Sequence, residues 1–328
     1  MNPVGGMLSN LIGGGGEKGM SSSMKGFLDC IRKVDVQLLS TDGPWFYGQY
    51  DYPTMIDFVY VSHVERMLAS CAHWKGLNLR DPKWNLKGLN RWLIAFEQRE
   101  AYLAFKSDYY THVKDIPPQY GPGYDGGFDT DRERFYRNIL GRDGSWTLPL
   151  SHDDDLQPLY EGPPLPLCVL KSSGLVPDNA GSYKSCDPTV MTFACRSMAA
   201  WKLASNGMNV AKFAARGGPK GAKNVRKTFQ AQLADPYAEP DVDIQPVVDT
   251  ALRVVCAALM NVSEPSSSSV PDTFATSLRQ AVPSEQIEGV SASLRYLRDR
   301  IGVPRDLPLA SARYLRAYLN WGIDTLSQ

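Results

Sequence analysis

The chain has 328 residues, enough for one large domain or two medium ones, with 43% hydrophobic and 21% charged residues. Its 35 basic and 35 acidic side chains cancel, which removes any global electrostatic argument for nucleic acid or an anionic membrane as partner. No apolar run approaches the ~20 residues of a membrane helix, and the N-terminus lacks a secretory hydrophobic region.

Residues 1–23 are rich in Gly and Ser and read as a flexible leader, because glycine this dense carries a large ordering entropy. An organelle transit segment is the alternative reading of the same stretch. From 24 to 39, Phe27, Leu28, Ile31, Val34 and Leu38 recur at threes and fours, which predicts an amphipathic helix ended by a turn at Gly43-Pro44.

The clearest helix start follows. Thr54 and Asp57 form a capping box in which the acid stands in for the usual glutamate. Pro53 keeps the helix from extending backwards. Met55, Ile56, Phe58, Val59, Tyr60, Val61 and Val64 are apolar nearly all the way round, which predicts a buried helix. A cap alone puts the cost of Asp57→Ala on the order of 1–2 kcal/mol.

Leu86, Leu89, Leu93 and Phe96, flanked by Trp84 and Trp92, form the next stripe, and Pro117-Pro118 closes the region. Residues 116–189 are rich in Pro and Gly and read as an irregular connector. A helical extension over 190–328 then carries stripes at 190–203, 247–259, 287–301 and 309–326, with a Ser-rich loop at 266–269. No strand-period segment of useful length occurs, so the expected fold class is all-α. Arg295-Tyr296-Leu297-Arg298 recurs as Arg313-Tyr314-Leu315-Arg316, which predicts a helical hairpin and not a solenoid.

Few motifs carry chemistry. Gly121-Pro122-Gly123-Tyr124-Asp125-Gly126 matches G-x-G-x-x-G but has no strand to feed it, so it reads as a surface loop. The basic, glycine-rich stretch 216–227 holds Arg216, Lys220 and Lys223 as a candidate anion-binding loop. It lacks the GK[ST] ending of a nucleotide-hydrolysing loop, and its bland reading is a solvated turn. His152 with Asp153, Asp154 and Asp155 reads as an acidic turn. The four histidines show no ligand spacing, so no metal is expected. Six cysteines (Cys30, Cys71, Cys168, Cys186, Cys195, Cys256) lie apart with no C-x-x-C pair, which fits reduced structural thiols. Asn261-Val262-Ser263 is a glycosylation sequon, relevant only to a secreted chain. Tyr109 and Tyr110, with Lys106, Asp108 and His112, form a polar aromatic cluster that either packs between helices or lines a cleft.

Three segments in order resemble the C-terminal helical domain of the glutathione transferase superfamily. Gly43-Pro44-Trp45-Phe46-Tyr47-Gly48 is similar to the G-P-x-F-x-G loop before that domain's central helix. Thr54-Met55-Ile56-Asp57 resembles the helix's capping box, a folding element in the family. Leu89-Asn90-Arg91-Trp92 through Arg99-Glu100-Ala101-Tyr102 resembles the later helix ending in R-P-x-Y, with Glu100 in place of the proline. The resemblance covers roughly residues 24–115. The flanking ERMLAS, KSDYYTH and IPPQYGPGY segments are similar to a plant and algal group that continues into a helical C-terminal extension.

The resemblance implies a helical bundle, and a thioredoxin-like domain that binds glutathione and supplies the thiol-activating residue. Residues 1–23 are too short to encode that domain. The expectation is therefore a chain that is not catalytic in isolation, with no residue inheriting a catalytic role. Glutathione is the implied cofactor wherever such a domain is present, with conjugation or thiol transfer as the activity. The helical domain contributes one wall of an apolar co-substrate pocket, for which Phe27, Tyr60 and Val64 are the candidates. A protein partner through the extension and a homodimer complete the expected partners. The localisation read from the sequence is intracellular, with cytoplasm and plastid both open. The alternative is a non-catalytic helical binding or scaffold protein.

Overall fold

The computed structural model describes residues 22–120, 123, 129–142, 146, 150, 188–221, 238–261 and 271–328. Among these there are twelve α-helices and no strand. They fall into two compact units, one holding the helices up to Ile139 and the other those from Pro188 onward. The leader up to residue 21, most of the 116–189 connector, the Gly121–Gly126 motif apart from Gly123, the His152 turn and the Ser-rich loop lie outside the described residues.

In the first unit, α1 (Ser22–Leu39) buries Met24, Phe27, Leu28, Ile31 and Leu38, the stripe its sequence spacing sets. It packs against α3 (Lys87–Glu97), which buries Leu89, Trp92, Leu93 and Phe96. Between them in sequence, α2 (Met55–Lys75) runs from its capping box to Gly76. That glycine takes the left-handed conformation (φ 62°), which glycine alone adopts without steric cost, and its amide donates to the Ala72 carbonyl. The short α4 (Glu100–Leu103) follows α3. Then α5 (Tyr109–Tyr120) and α6 (Asp129–Ile139) both pack on α2.

A reciprocal clamp fixes α1 to α3. The N-terminus of α3 has Leu86 at its cap position, which offers no side-chain acceptor. Buried Asp35 of α1 takes that role from 54 residues away, its Oδ1 accepting the Leu89 amide at 2.8 Å. In return, Arg91 of α3 donates to the carbonyl of Leu38, the second-to-last residue of α1, and to that of Thr41. Gly88 makes this approach feasible, since a Cβ there would lie 2.4 Å from the Asp35 carbonyl oxygen.

Two expectations need adjusting. Pro117-Pro118 does not stop α5, which continues to Tyr120. Proline's fixed φ is helical, so the backbone keeps its course although the amides that would bond the Val113 and Lys114 carbonyls are lost. Apart from Asp57, the first two turns of α2 are not buried: Met55, Ile56, Phe58 and Val59 are exposed, and apolar burial begins at Val61.

The second unit is built around α12 (Leu309–Leu326), which is buried on all sides. Around it stand α7 (Pro188–Ser205), α9 (Gln245–Met260), α10 (Asp272–Ala281) and α11 (Ile287–Arg298), with α8 (Gly207–Ala214) against α9 and α11. The repeated Arg-Tyr-Leu-Arg segments lie on α11 and α12, which pack together as the expected hairpin. Their environments differ: Arg295 is exposed, whereas Arg313 and Arg316 are buried.

Because the Gly88 contact is backbone against backbone, Gly88→Ala is expected to destabilise the first unit by about 1–3 kcal/mol. Urea denaturation measures this, and an unchanged midpoint would mean that α1 and α3 do not approach so closely.

Candidate functional site

The densest polar constellation centres on Asp57, which is fully buried. Both halves of the capping box with Thr54 are present. Asp57 Oδ2 accepts the Thr54 amide at 2.8 Å and the Thr54 hydroxyl at 2.8 Å. Oδ1 accepts the Phe46 amide at 3.1 Å and the Trp92 indole N–H at 2.8 Å. One carboxylate thus holds the start of α2, the preceding loop and the middle of α3. The 43–48 loop owes its two glycines to space. A Cβ on Gly43 would lie 2.7 Å from the Gly48 carbonyl oxygen, and one on Gly48 would lie 2.5 Å from Thr41 Cβ. The loop buries Trp45 on Phe96 and sets Phe46 edge-on to Tyr60 and Trp92. With every acceptor engaged and no solvent access, Asp57 is an organiser and not a general base.

The candidate pocket residues sit inside this unit. Phe27 and Val64 belong to the core. Tyr60 is half-buried beside Trp92 at 5.7 Å, and burial, with a smaller push from Cys30, raises its hydroxyl pKa. None of the three lines the open groove of about 840 Å³ that runs along the outer face of α3.

A second polar cluster joins α2 to α4 and α5. The Tyr102 hydroxyl donates to Glu65 Oε1 at 2.6 Å, and His112 Nε2 stands 3.4 Å from Glu65 Oε2. Nearby Arg80 makes a two-pronged pair with Glu97 at 2.5 and 2.8 Å. Burial, then the Glu65 charge, raises the Tyr102 pKa far above its usual range, so this phenol is a fixed donor. The Tyr109–Tyr110 cluster is packed: both rings, Asp108 and His112 are buried, and Asp108 accepts the Thr111 amide at 3.1 Å at the start of α5.

Three of the described thiols, Cys71, Cys195 and Cys256, are poor nucleophiles. Burial pushes Cys71 and Cys195 up to about 12 and raises Cys256. His73, between Trp74 and Tyr136, is lowered to about 3 by burial and then by the charges of Lys114 and Arg132. No group of three or more His, Cys, Asp or Glu among the described residues is placed to hold a metal ion, and no helix there is long and apolar enough to cross a membrane.

In the candidate anion loop, Lys223 lies outside the described residues. The Lys220 amide donates to buried Asp241 Oδ2 at 2.9 Å, and its ammonium pairs with Asp243. Asp243 raises the Lys220 pKa, first through the hydrogen bond and then through its charge. Arg216 lies over the Phe213 ring at 5.2 Å. The amide and the cation expected to meet an external anion therefore meet the chain's own carboxylates. The glycines there serve packing: a Cβ on Gly217 would lie 2.5 Å from Tyr296 Cβ, and one on Gly218 2.8 Å from Asp241 Cβ.

Comparison with protein-family models, with curated proteins and with solved structures gave no match to this chain.

Asp57→Ala is expected to cost about 3–4 kcal/mol, more than a lost cap, because the Phe46 amide and Trp92 indole lose their acceptor as well. Asp57→Asn keeps one acceptor oxygen but turns an NH2 toward the donors of the other, so it is expected to recover only part of that loss. Chemical denaturation of both variants checks this, and a loss of only 1–2 kcal/mol for Asp57→Ala would leave the cap as the sole function of the carboxylate.

His73 gives a pH prediction. In the folded chain it stays neutral down to about 3, while in the unfolded chain it takes a proton near 6.5. The unfolded state therefore binds more protons between those values, and stability falls as pH drops through that window. Between pH 7 and pH 5 the loss is about 2 kcal/mol. His73→Phe keeps the ring contacts and is expected to flatten the profile; superimposable profiles would show that His73 titrates normally.

Proposed function

We propose that this chain is a glutathione-transferase-like protein whose first unit is the helical, non-nucleophilic half of the fold. In this reading the 328-residue chain does not activate a thiol by itself. Glutathione and its activating residue belong to a thioredoxin-like domain, and in that assembled form the activity is conjugation or thiol transfer. The observation that carries the reading is the convergence on Asp57. The three segments that bear the resemblance, at 43–48, 54–57 and 89–92, meet through that one carboxylate. Support also comes from Cys71, Cys195 and Tyr102, whose environments hold them protonated. The exposed apolar side chains of Tyr47, Tyr52, Met55, Phe58 and Val59 offer surface to an apolar co-substrate or to the other domain.

The second reading is a non-catalytic helical scaffold. It is favoured by the second unit, which has its own core around α12 and lies beyond the resemblance.

The test compares the recombinant chain with the endogenous protein captured by antibody, using glutathione and 1-chloro-2,4-dinitrobenzene. The recombinant chain is expected to form no conjugate above the buffer rate, and the endogenous protein to form it. Conjugation by the recombinant chain would overturn the non-nucleophilic assignment. An endogenous protein that neither binds glutathione nor conjugates it would replace the transferase reading with the scaffold.

A further inference from the structure

The groove along α3 is not explained by the Asp57 assembly, nor does it depend on the transferase reading. Its floor is the solvent side of α3, where Lys87, Asn90, Arg91, Ile94 and Gln98 recur at helical spacing. One wall is the loop after α1, with Asp42 and Pro44. The other is the segment before α3, with Pro82 and Asn85. The eleven residues of α3 span about 16 Å, close to the length of five residues of extended chain.

Charge and hydrogen-bonding capacity in this groove are asymmetric. Arg80 is neutralised by Glu97, so Lys87 and Arg91 stand against Asp42 alone. Arg91 is held in place by two carbonyls and has no carboxylate partner among the described residues. Lys87 is exposed and has no partner among the described residues. Asn85 and Gln98 are exposed amides without a side-chain hydrogen bond among the described residues, which suits them to the N–H and C=O groups of a peptide backbone. Between them Ile94 is 48% exposed, an aliphatic contact set among polar groups.

We propose that this groove binds a short extended peptide segment in which an acidic residue lies a few positions from an aliphatic one. The carboxylate meets Lys87 and Arg91, the aliphatic side chain covers Ile94, and the amides at the two ends pair with the peptide backbone. A small amphipathic anion shares part of this chemistry but has no use for the groove's length or its terminal amides.

A displayed library of random heptapeptides panned on the intact chain tests the proposal, with affinities of synthesised winners measured by fluorescence anisotropy. Enriched sequences are expected to pair Asp or Glu with Leu, Ile or Val within four positions. Their affinity is expected to fall at least fivefold in Lys87→Ala and in Ile94→Asp. Both side chains are exposed, so the fold should be kept, and thermal unfolding verifies that. Met55→Asp, exposed elsewhere in the same unit, is expected to change affinity less than twofold. Winners without acidic enrichment, or winners indifferent to Lys87→Ala and Ile94→Asp, would overturn the proposal. So would an anilinonaphthalene sulfonate that binds in an Ile94-dependent manner while no peptide enriches, since the occupant would then be a small anion. None of these outcomes involves glutathione, so the transferase reading stands or falls separately.

Discussion

Burying a carboxylate is unfavourable unless its charge is fully engaged, and the first unit is organised around one place where that condition is met. Asp57 takes two donors from Thr54, one from the Phe46 backbone and one from the Trp92 indole. The consequences spread outward. The start of α2 is fixed, the 43–48 loop is drawn inward so that Trp45 and Phe46 become core, and Trp92 is oriented so that Phe96, Tyr60 and Phe46 pack on it at 5.0 to 6.1 Å. The aromatic cluster contributes the apolar area, and Asp57 determines which way its members face.

The same logic governs the other buried charges. Acids serve helix N-termini: Asp57 for α2, Asp35 for α3, Asp108 for α5. Arginines serve carbonyls at or just past helix C-termini. Arg91 reaches Leu38 at the end of α1, Arg196 reaches Ala258 and Asn261 at the end of α9, and buried Arg316 reaches Ile301 past α11. Helix ends leave unpaired amides and carbonyls whose partial charges carry these signs. Each of these Arg and Asp side chains is thus first a solution to helix-end desolvation. That weakens any argument from buried charge to catalysis here.

Local signals were legible in the sequence and distant ones were not. The Thr54–Asp57 box, the α1 and α3 stripes and the four stripes of the extension each rest on neighbours within a few residues, and each marks a helix. Asp35 as the cap of α3 could not be read, because it lies 54 residues from the amide it serves. The helix α6 was hidden in an assumed irregular connector, since its sequence DTDRERFYRNI buries only Phe135 and Ile139. Glycine-rich stretches misdirect in a particular way. Around 216–221 the pattern resembles a phosphate cradle, yet Gly217 and Gly218 are small because Tyr296 and Asp241 occupy the space. Periodicity also overstated the burial of α2: an all-round apolar helix start need not be covered by its own unit, and Met55 and Phe58 are open.

The distribution of reactivity follows from these packing choices. A thiol or phenol acts as a nucleophile only where its anion is stabilised, and the structure does the opposite at each described group with a resolved shift. Cys71 and Cys195 are fully buried, and Tyr102 hands its proton toward a carboxylate that would repel a phenolate. His73 is held neutral by burial and by two cations, so it is no proton relay near neutrality. By contrast, the α3 groove presents polar groups at the surface, with Lys87, Asn85 and Gln98 spaced along a stretch that also carries exposed Ile94. None of the described thiols and phenols with a resolved shift is activated, whereas recognition by direct contact is available on the first unit's own surface.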